Sequence, residues 1–479
     1  MNNKWKRILV LGVALSGLMA CGDDKGSDPE EESSSSGTSS TSLSSEGTSS
    51  VATSATSSAT SSTAVSATSS ATVSSTSSDT LACASDTLTG TYVDDIRLCS
   101  DVTYTLSGYA MMDSGATISI DAGTTIASSG KSALIIMPTA KIYAVGTASA
   151  PIIFTSSNAT PAVGDWAGVV IFGQAPVSTS DGTQGFEADA SLVYGGDVSD
   201  DSSGVMKYVR VEYAGWTVAT DKELNGITFG GVGSKTDVSY IQVHAGEDDA
   251  FEFFGGTNSI NHTVVTAYED DGWDIDCGWH GTNTYGINIQ GTNSDRAIEA
   301  GKVAEDENLI TKGEFDYITI VKNSTNQALH IKDNVGLVLN NAVIVGIGDS
   351  AKEVVRVEGS VSREQLSLDS TSFSNVFYQG FSKSAVVLSG DTASIDTSYD
   401  TTVSDTDTTI DTTYSVTYVE DTTLEGYLNE GMTEGTDLLN DDLSPKSSAV
   451  SSAGAGAITS SSDLWYDGWT KSGTVSLNP

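Results

Sequence analysis

The chain has 479 residues and a strongly acidic balance, 63 Asp and Glu against 22 Lys and Arg, for a formal net charge of −41. That excess argues against nucleic acid as a partner, because phosphate binding needs a basic face, and against electrostatic docking on anionic lipid. It suits high solubility, a saline habitat or cation binding, with a solvated acidic surface as the plain reading of most of these carboxylates.

The N-terminus reads as an address. Lys4, Lys6 and Arg7 precede the apolar run ILVLGVALSGLMA (8–20), too short to span a bilayer as a helix. It closes on Leu18-Met19-Ala20-Cys21, the pattern of a lipoprotein signal peptide (1–20). This resembles the bacterial lipobox, which implies cleavage before Cys21 and lipidation of its thiol. Gly22 follows in place of Asp, and Asp23, Asp24 and Glu30–Glu32 come next. These fit a lipid-anchored protein of the outer membrane, at the cell surface or on the periplasmic leaflet. Residues 21–80 form the lipidated cysteine and a tether. From Ser33 to Thr80 it is almost wholly Ser, Thr, Ala and Gly, with Glu46 and Asp79 its only charges. Such a segment cannot bury enough apolar surface to offset its ordering entropy, so it is expected to be disordered. A glycosylated stalk is the variant reading.

The body, 81–479, opens with Cys83 and Cys99 around a short loop, a pair able to form a disulfide that closes the N-terminal end of the core. Cys277 is then left over and expected to be packed inside. Short β-branched runs follow, among them ATISI (116–120), GVVIF (168–172), KYVRVEY (207–213), YIQVH (240–244), DYITIV (316–321) and GLVLNNAVIV (336–345). Gly, Asn, Asp and Ser separate them, and no window of similar length reads as an amphipathic helix. Such strands suit an all-β solenoid, a coil of parallel strands in which each turn buries its face by stacking on the next. A β-sandwich or propeller is the alternative, but the forty-residue period of a propeller is not visible. An acidic, Asp/Thr-rich insert near 390–423 is expected to be an irregular loop or a protruding arm.

One internal repeat stands out. AGEDDAFEFFGG (245–256) returns 22 residues later as AYEDDGWDIDCG (267–278), as two adjacent rungs would. Glu247/Glu269, Asp248/Asp270, Asp249/Asp271, Phe251/Trp273, Glu252/Asp274 and Phe253/Ile275 would then stack about 4.8 Å apart. Carried onward through AIEA (297–300), HIKD (330–333) and RVEG (356–359), strand alternation gives two outward columns. One is expected to hold Glu252, Asp274, Ala297, His330 and Arg356, the other Phe254, Asp276, Glu299, Lys332 and Glu358.

The phrases GATISIDAGTTI (115–126), AKIYAVGTASAPIIFTSS (140–157), GDWAGVVIFGQAPV (164–177) and GVMKYVRVEYAG (204–215), with NGITFGGVGSKTDVSYIQV (225–243) and the EDD segments, resemble a family of bacterial surface and outer-membrane lipoproteins. The resemblance runs from about Leu88 to LWYDGWT (464–470). It implies a right-handed parallel β-helix and a surface location, and carries no activity with it.

Stacked carboxylates repel and need compensation, about 3 kcal/mol per unit pair at 5 Å and an effective dielectric of 20. Three chemistries answer this. Calcium, which takes six to eight oxygen ligands, would be held by Glu247, Asp248, Asp249, Glu269, Asp270 and Asp271. A glycan or other surface polymer would bind across Glu252, Trp273, Asp274, Asp276, Trp279, Glu299, His330 and Lys332, with aromatic faces against sugar rings. The enzymatic alternative is a polysaccharide hydrolase or calcium-dependent lyase using Asp248, Asp249, Asp270, Asp271, His280 and Lys332. The order of these motifs is similar to that in β-helical polygalacturonases, but His330 stands where their Arg is expected and their Asn-Thr-Asp element is missing. His244 and His262 are expected to be structural. The reading is a monomeric, lipid-anchored, glycan-binding β-helix that uses calcium.

Overall fold

The computed structural model describes residues 81–217, 224–301, 309–332, 335–347, 353–358, 370–382, 385–389, 393–404, 407–418 and 431–477. The signal sequence, Cys21 and the tether lie outside these residues. Among the described residues, 26 strands pair into one sheet, and every pairing registered within it is parallel. Successive strands of a turn do not pair with each other. Each pairs with its equivalent one turn on, and the chain winds as a three-sided parallel β-helix.

The first side runs through Ile96–Leu98, Thr117–Ile120 and Lys141–Val145, then through the first halves of Gly204–Glu212, Asp237–His244, Ile260–Thr266, Thr282–Ile289 and Lys312–Lys322. The second halves of those same long strands build the second side. The third side stacks Gly130–Ile136, Trp166–Phe172, Ile227–Gly230, Phe251–Phe254, Trp273–Asp276, Ile298–Ala300, Leu329–Ile331, Val355–Glu358 and Val386–Ser389. KYVRVEY is thus not one straight strand but two sides of the coil, broken at Tyr208.

Each break is a single left-handed residue: Tyr208, Tyr240, His262, Tyr285 and Tyr317, all with φ between 51° and 61°. A left-handed non-glycine residue is unfavourable, and here the strain is offset locally. The five rings stack in one ladder with centroids 4.4–5.0 Å apart. Asn341 and Asn375 extend it, Asn341 donating to Asp316 at 2.7 Å and Asn375 to Asn341 at 2.7 Å. His262 is therefore structural, as expected.

Inside the coil one apolar core runs its length, from Leu88 through Trp166, Phe229, Phe253, Trp273 and Phe315 to Val386. Two further clusters lie outside it. Hairpin Thr183–Phe186/Asp189–Gly195 covers Val170, Phe172 and Phe254 on the third side, with Tyr194 stacked on Phe172 at 4.8 Å. The C-terminal segment folds back over the second side, and Trp465 and Trp469 set their edges against the ladder rings. Its Lys471 bonds Glu212 at 2.9 Å.

Cys83 and Cys99 form a disulfide at the N-terminal end. Cys277 is buried, but it is not the leftover thiol expected, since among the described residues no cysteine is free. Of the two forms expected of the Asp/Thr-rich insert, it takes the arm: Ala393–Ser404 pairs antiparallel with Asp407–Tyr418, and among the described residues neither strand joins another sheet. Ser448–Ala453 is a short helix capped by Ser447. Among the described residues no helix is long and apolar enough to cross a membrane.

Candidate functional site

The Glu-Asp-Asp repeats occupy the corner between the second and third sides, where Ala245 and Ala267 turn left-handed after their strands. Their register follows from backbone geometry. Asp249 Oδ1 accepts from the Asp271 backbone N–H at 2.8 Å, and Asp271 Oδ1 accepts from that of Arg296 at 2.6 Å. One aspartate of each rung thus holds the turn of the next. Gly215 lies under the first turn with φ 99°, and a Cβ there would come within 2.6 Å of the Glu247 nitrogen.

The three acids of each repeat diverge. Oxygens of Asp248, Asp249 and Asp270 lie within 4.8 Å of one another, as do those of Asp270, Asp271 and Asp295. Glu247 instead leans over Gly164, and Glu269 accepts a bond from Asn293 at 3.1 Å. Neither glutamate belongs to these groups. Of the six residues expected to hold calcium, these groups bring together the four aspartates. A third group, unforeseen as a unit, joins the corner to the third side: Asp249, Glu252 and Asp274, all buried, with oxygens again within 4.8 Å.

The outward column along that side is Glu252, Asp274, Glu299, His330 and Arg356. The expectation placed Ala297 in this column and Glu299 in the other. The strand begins at Ile298, which pairs with Trp273 and not with Ile275, so the register is two residues later and the faces are kept. That slip matters, because Glu299 becomes the hub of the tract. Its carboxylate meets Lys332 Nζ at 2.8 Å, His330 Nδ1 at 3.1 Å and Arg296 Nε at 3.5 Å. Burial pushes the Glu299 pKa up, yet the His330 hydrogen bond and the Lys332 and Arg296 charges outweigh it and hold the group at about 2. Burial works against the charge on Lys332 as well, but Glu299, Asp274 and Asp276 more than offset it and raise the lysine above its ordinary pKa. Arg296 is likewise raised despite burial, chiefly by Asp271 and Glu299.

Asp271 moves the other way. Its carboxyl is pushed well above the usual range by burial first, then by Glu299 and Asp270. Beyond Glu299, His330 Nε2 meets Glu358 at 2.9 Å and Arg356 pairs with Glu353 at 2.6 Å. The tract therefore has a direction: carboxylates dominate the rungs of 249–276, and cations enter from Arg296 onward.

Trp273 and Trp279, expected to bind sugar, do not face the tract. Both are fully buried in the coil, where Trp279 lies 4.5 Å from Phe253 and Trp273 5.8 Å from Phe315. Strand alternation sends Trp273 inward with Ile275, and burying these rings is worth more than exposing them. His280 lies past the far end of its strand, exposed, against the Gly278 carbonyl at 2.9 Å, away from the aspartates. Asp274, Asp276, Glu252, Glu299, His330 and Lys332 do share the third side. Tyr194, from the covering hairpin, approaches Glu252 and Asp276, and Glu187 lies near its ring. They were invisible in sequence because a distant hairpin brings them there.

A family model described as a pectate-lyase like beta helix domain matches residues 90–470, and the chain belongs to that family. Neither the curated proteins nor the solved structures hold a significant match to it.

Proposed function

We propose that the protein binds acidic polysaccharide along its third side through a calcium ion held by Asp249, Glu252 and Asp274. The observation that carries this reading is the meeting of those three buried carboxylates on two adjacent rungs, beside the Glu299–Lys332–Arg296 hub. Calcium takes carboxylate oxygens in flexible geometry, and a uronate carboxylate would complete its shell while Lys332 supplies a second anchor. The net charge of −41 repels a polyanion, so such binding would depend on the cation. The family's likeness to pectate lyases supports a polysaccharide as the partner.

Binding is favoured over degradation. Elimination from a uronate needs an unprotonated base, and Lys332 is held protonated by Glu299 and by Asp274 and Asp276. The basic start, the apolar run and Cys21 support a lipid anchor that holds the body off the outer membrane, the tether giving it reach. Calorimetry with polygalacturonate and alginate tests the reading. Binding should appear with calcium, vanish with EDTA and vanish in Asp274→Asn. Binding that is equally tight in EDTA would overturn it, and soluble products that disappear in the same variant would convert it to the enzymatic alternative.

A further inference from the structure

A second site lies on the other side of the acidic corner. Where the C-terminal segment crosses the second side, it roofs a cavity of about 300 Å³ whose walls include His244, Thr266, Ile289, Asn323, Gly473 and Thr474. The volume falls at the lower end of small-molecule sites. The roof is fastened at both margins. Lys471 bonds Glu212, Gln242 donates to Thr474 at 3.0 Å, and the Leu477 N–H donates to the Asp441 carbonyl at 3.0 Å.

In a protein this acidic, the lining is unusual for carrying no Asp, Glu, Lys or Arg. Its one titratable group, His244, is kept neutral. Burial, followed by the nearby Lys471 charge, lowers its pKa to about 4. His244 Nδ1 is engaged by the Thr266 hydroxyl at 2.8 Å, which fixes the ring. Among the described residues, neither His244 Nε2 nor the Asn323 amide has a hydrogen-bond partner. The cavity therefore offers neutral donors and acceptors opposite an apolar wall at Ile289. A charged ligand would find no charged side chain in the lining to repay its desolvation, and the nearby Lys471 is already paired with Glu212. A sugar ring has hydroxyls for the polar groups and a C–H face for the apolar wall.

We propose that this cavity binds the terminal residue of a neutral glycan, with His244 and Asn323 as its polar contacts. The site is separate from the cation tract and does not rest on it. Saturation-transfer NMR on the full chain, with glucose, galactose, mannose, N-acetylglucosamine and their β-1,4 disaccharides at about 10 mM, tests it. At least one should show transfer, and Asn323→Trp, which fills the space, should weaken binding by about tenfold or more. Asn323→Ala, which removes the amide without adding bulk, should weaken it by a smaller factor and guards against misfolding of the larger variant. EDTA and Asp274→Asn should leave the signal unchanged. Absence of transfer from every sugar, or transfer undiminished in both Asn323 variants, overturns the proposal. Transfer lost only with EDTA or Asp274→Asn places the sugar in the acidic tract, so this inference fails while the calcium-dependent reading stands.

Discussion

The corner between the first and second sides and the corner between the second and third are made by the same device, a left-handed residue repeated rung after rung. They differ in what the repetition stacks. At the first corner Tyr208, Tyr240, His262, Tyr285 and Tyr317 lie ring on ring, and each added rung adds an attractive contact of about 0.5–1.5 kcal/mol. At the second, Asp248 and Asp249 lie over Asp270 and Asp271, and each added rung adds repulsion. Identical stacking is self-supporting for rings and self-limiting for carboxylates. On the third rung Asp295 still follows Asp270, but Arg296 takes the place of an aspartate beside Asp271, and Glu299 gathers Lys332, Arg296 and His330. A feature that a β-helix repeats freely is a packing feature. One that breaks off and recruits counter-charges is a candidate site.

The largest test of that contrast is Glu299→Ala. Leaving Lys332 and Arg296 without their shared carboxylate should cost about 3–5 kcal/mol, read by denaturant unfolding. A loss under 1 kcal/mol would mean the hub is only surface decoration. At the other corner, Tyr240→Ala removes two stacked neighbours and the edges of Trp465 and Trp469, and about 2–3 kcal/mol should go. Release of the C-terminal segment should accompany it, visible as faster proteolysis near residue 465.

Calcium should distinguish the corners directly. At a hundredfold excess over its dissociation constant it should add about 2.7 kcal/mol to wild-type stability. It should add the same to Tyr240→Ala and nothing to Asp249→Asn/Asp274→Asn. Equal stabilisation of all three proteins would remove the ion from the acidic corner.

Acid should reach the two corners in different windows. Burial lowers the His262 pKa, so the folded ladder favours the neutral ring. That contribution is intact above the ordinary value of 6.5 and fades as pH falls below it. Glu299 is held at about 2 against an ordinary 4.5, so its contribution is intact above 4.5 and lost as pH falls toward 2. His262→Phe should make the loss below 6.5 shallower, leaving the part due to His244, and Glu299→Gln should reduce the loss below 4.5, as thermal midpoints across pH would show. The smallest effect is expected from Asp271→Asn. It keeps the acceptor for the Arg296 N–H but removes a buried charge, and should raise cation-free stability by about 1 kcal/mol or less.

Much of the coil was legible in the sequence because a parallel β-helix repeats its register. The 22-residue echo fixed Phe251 over Trp273 and Glu252 over Asp274, as observed. The same logic failed where repeat length changes. From Asp274 to Glu299 the interval is no longer 22, nothing in AIEA marks whether Ile298 or Ala300 pairs with Ile275, and the column came out two positions early. The two tryptophans misled for a related reason: amid acids an aromatic looks like a sugar platform, yet a strand gives its inward positions to the largest apolar side chains. The ladder was missed altogether, since its rings sit at breaks within runs that read as single strands.

The sequence by itself determined the acidity, the strand content, the coil and the pair of stacked acidic turns. These depend on composition, on alternation and on neighbours one rung apart. Only the tertiary structure decided which carboxylates meet, that Glu299 rather than Ala297 stands beside Asp274, and that Tyr194 approaches them from a hairpin. It alone placed the C-terminal segment over the second side, with Lys471 on Glu212, whose numbers lie 259 apart. Contacts of that separation are set by how one packed surface covers another, and no local pattern along the chain records them.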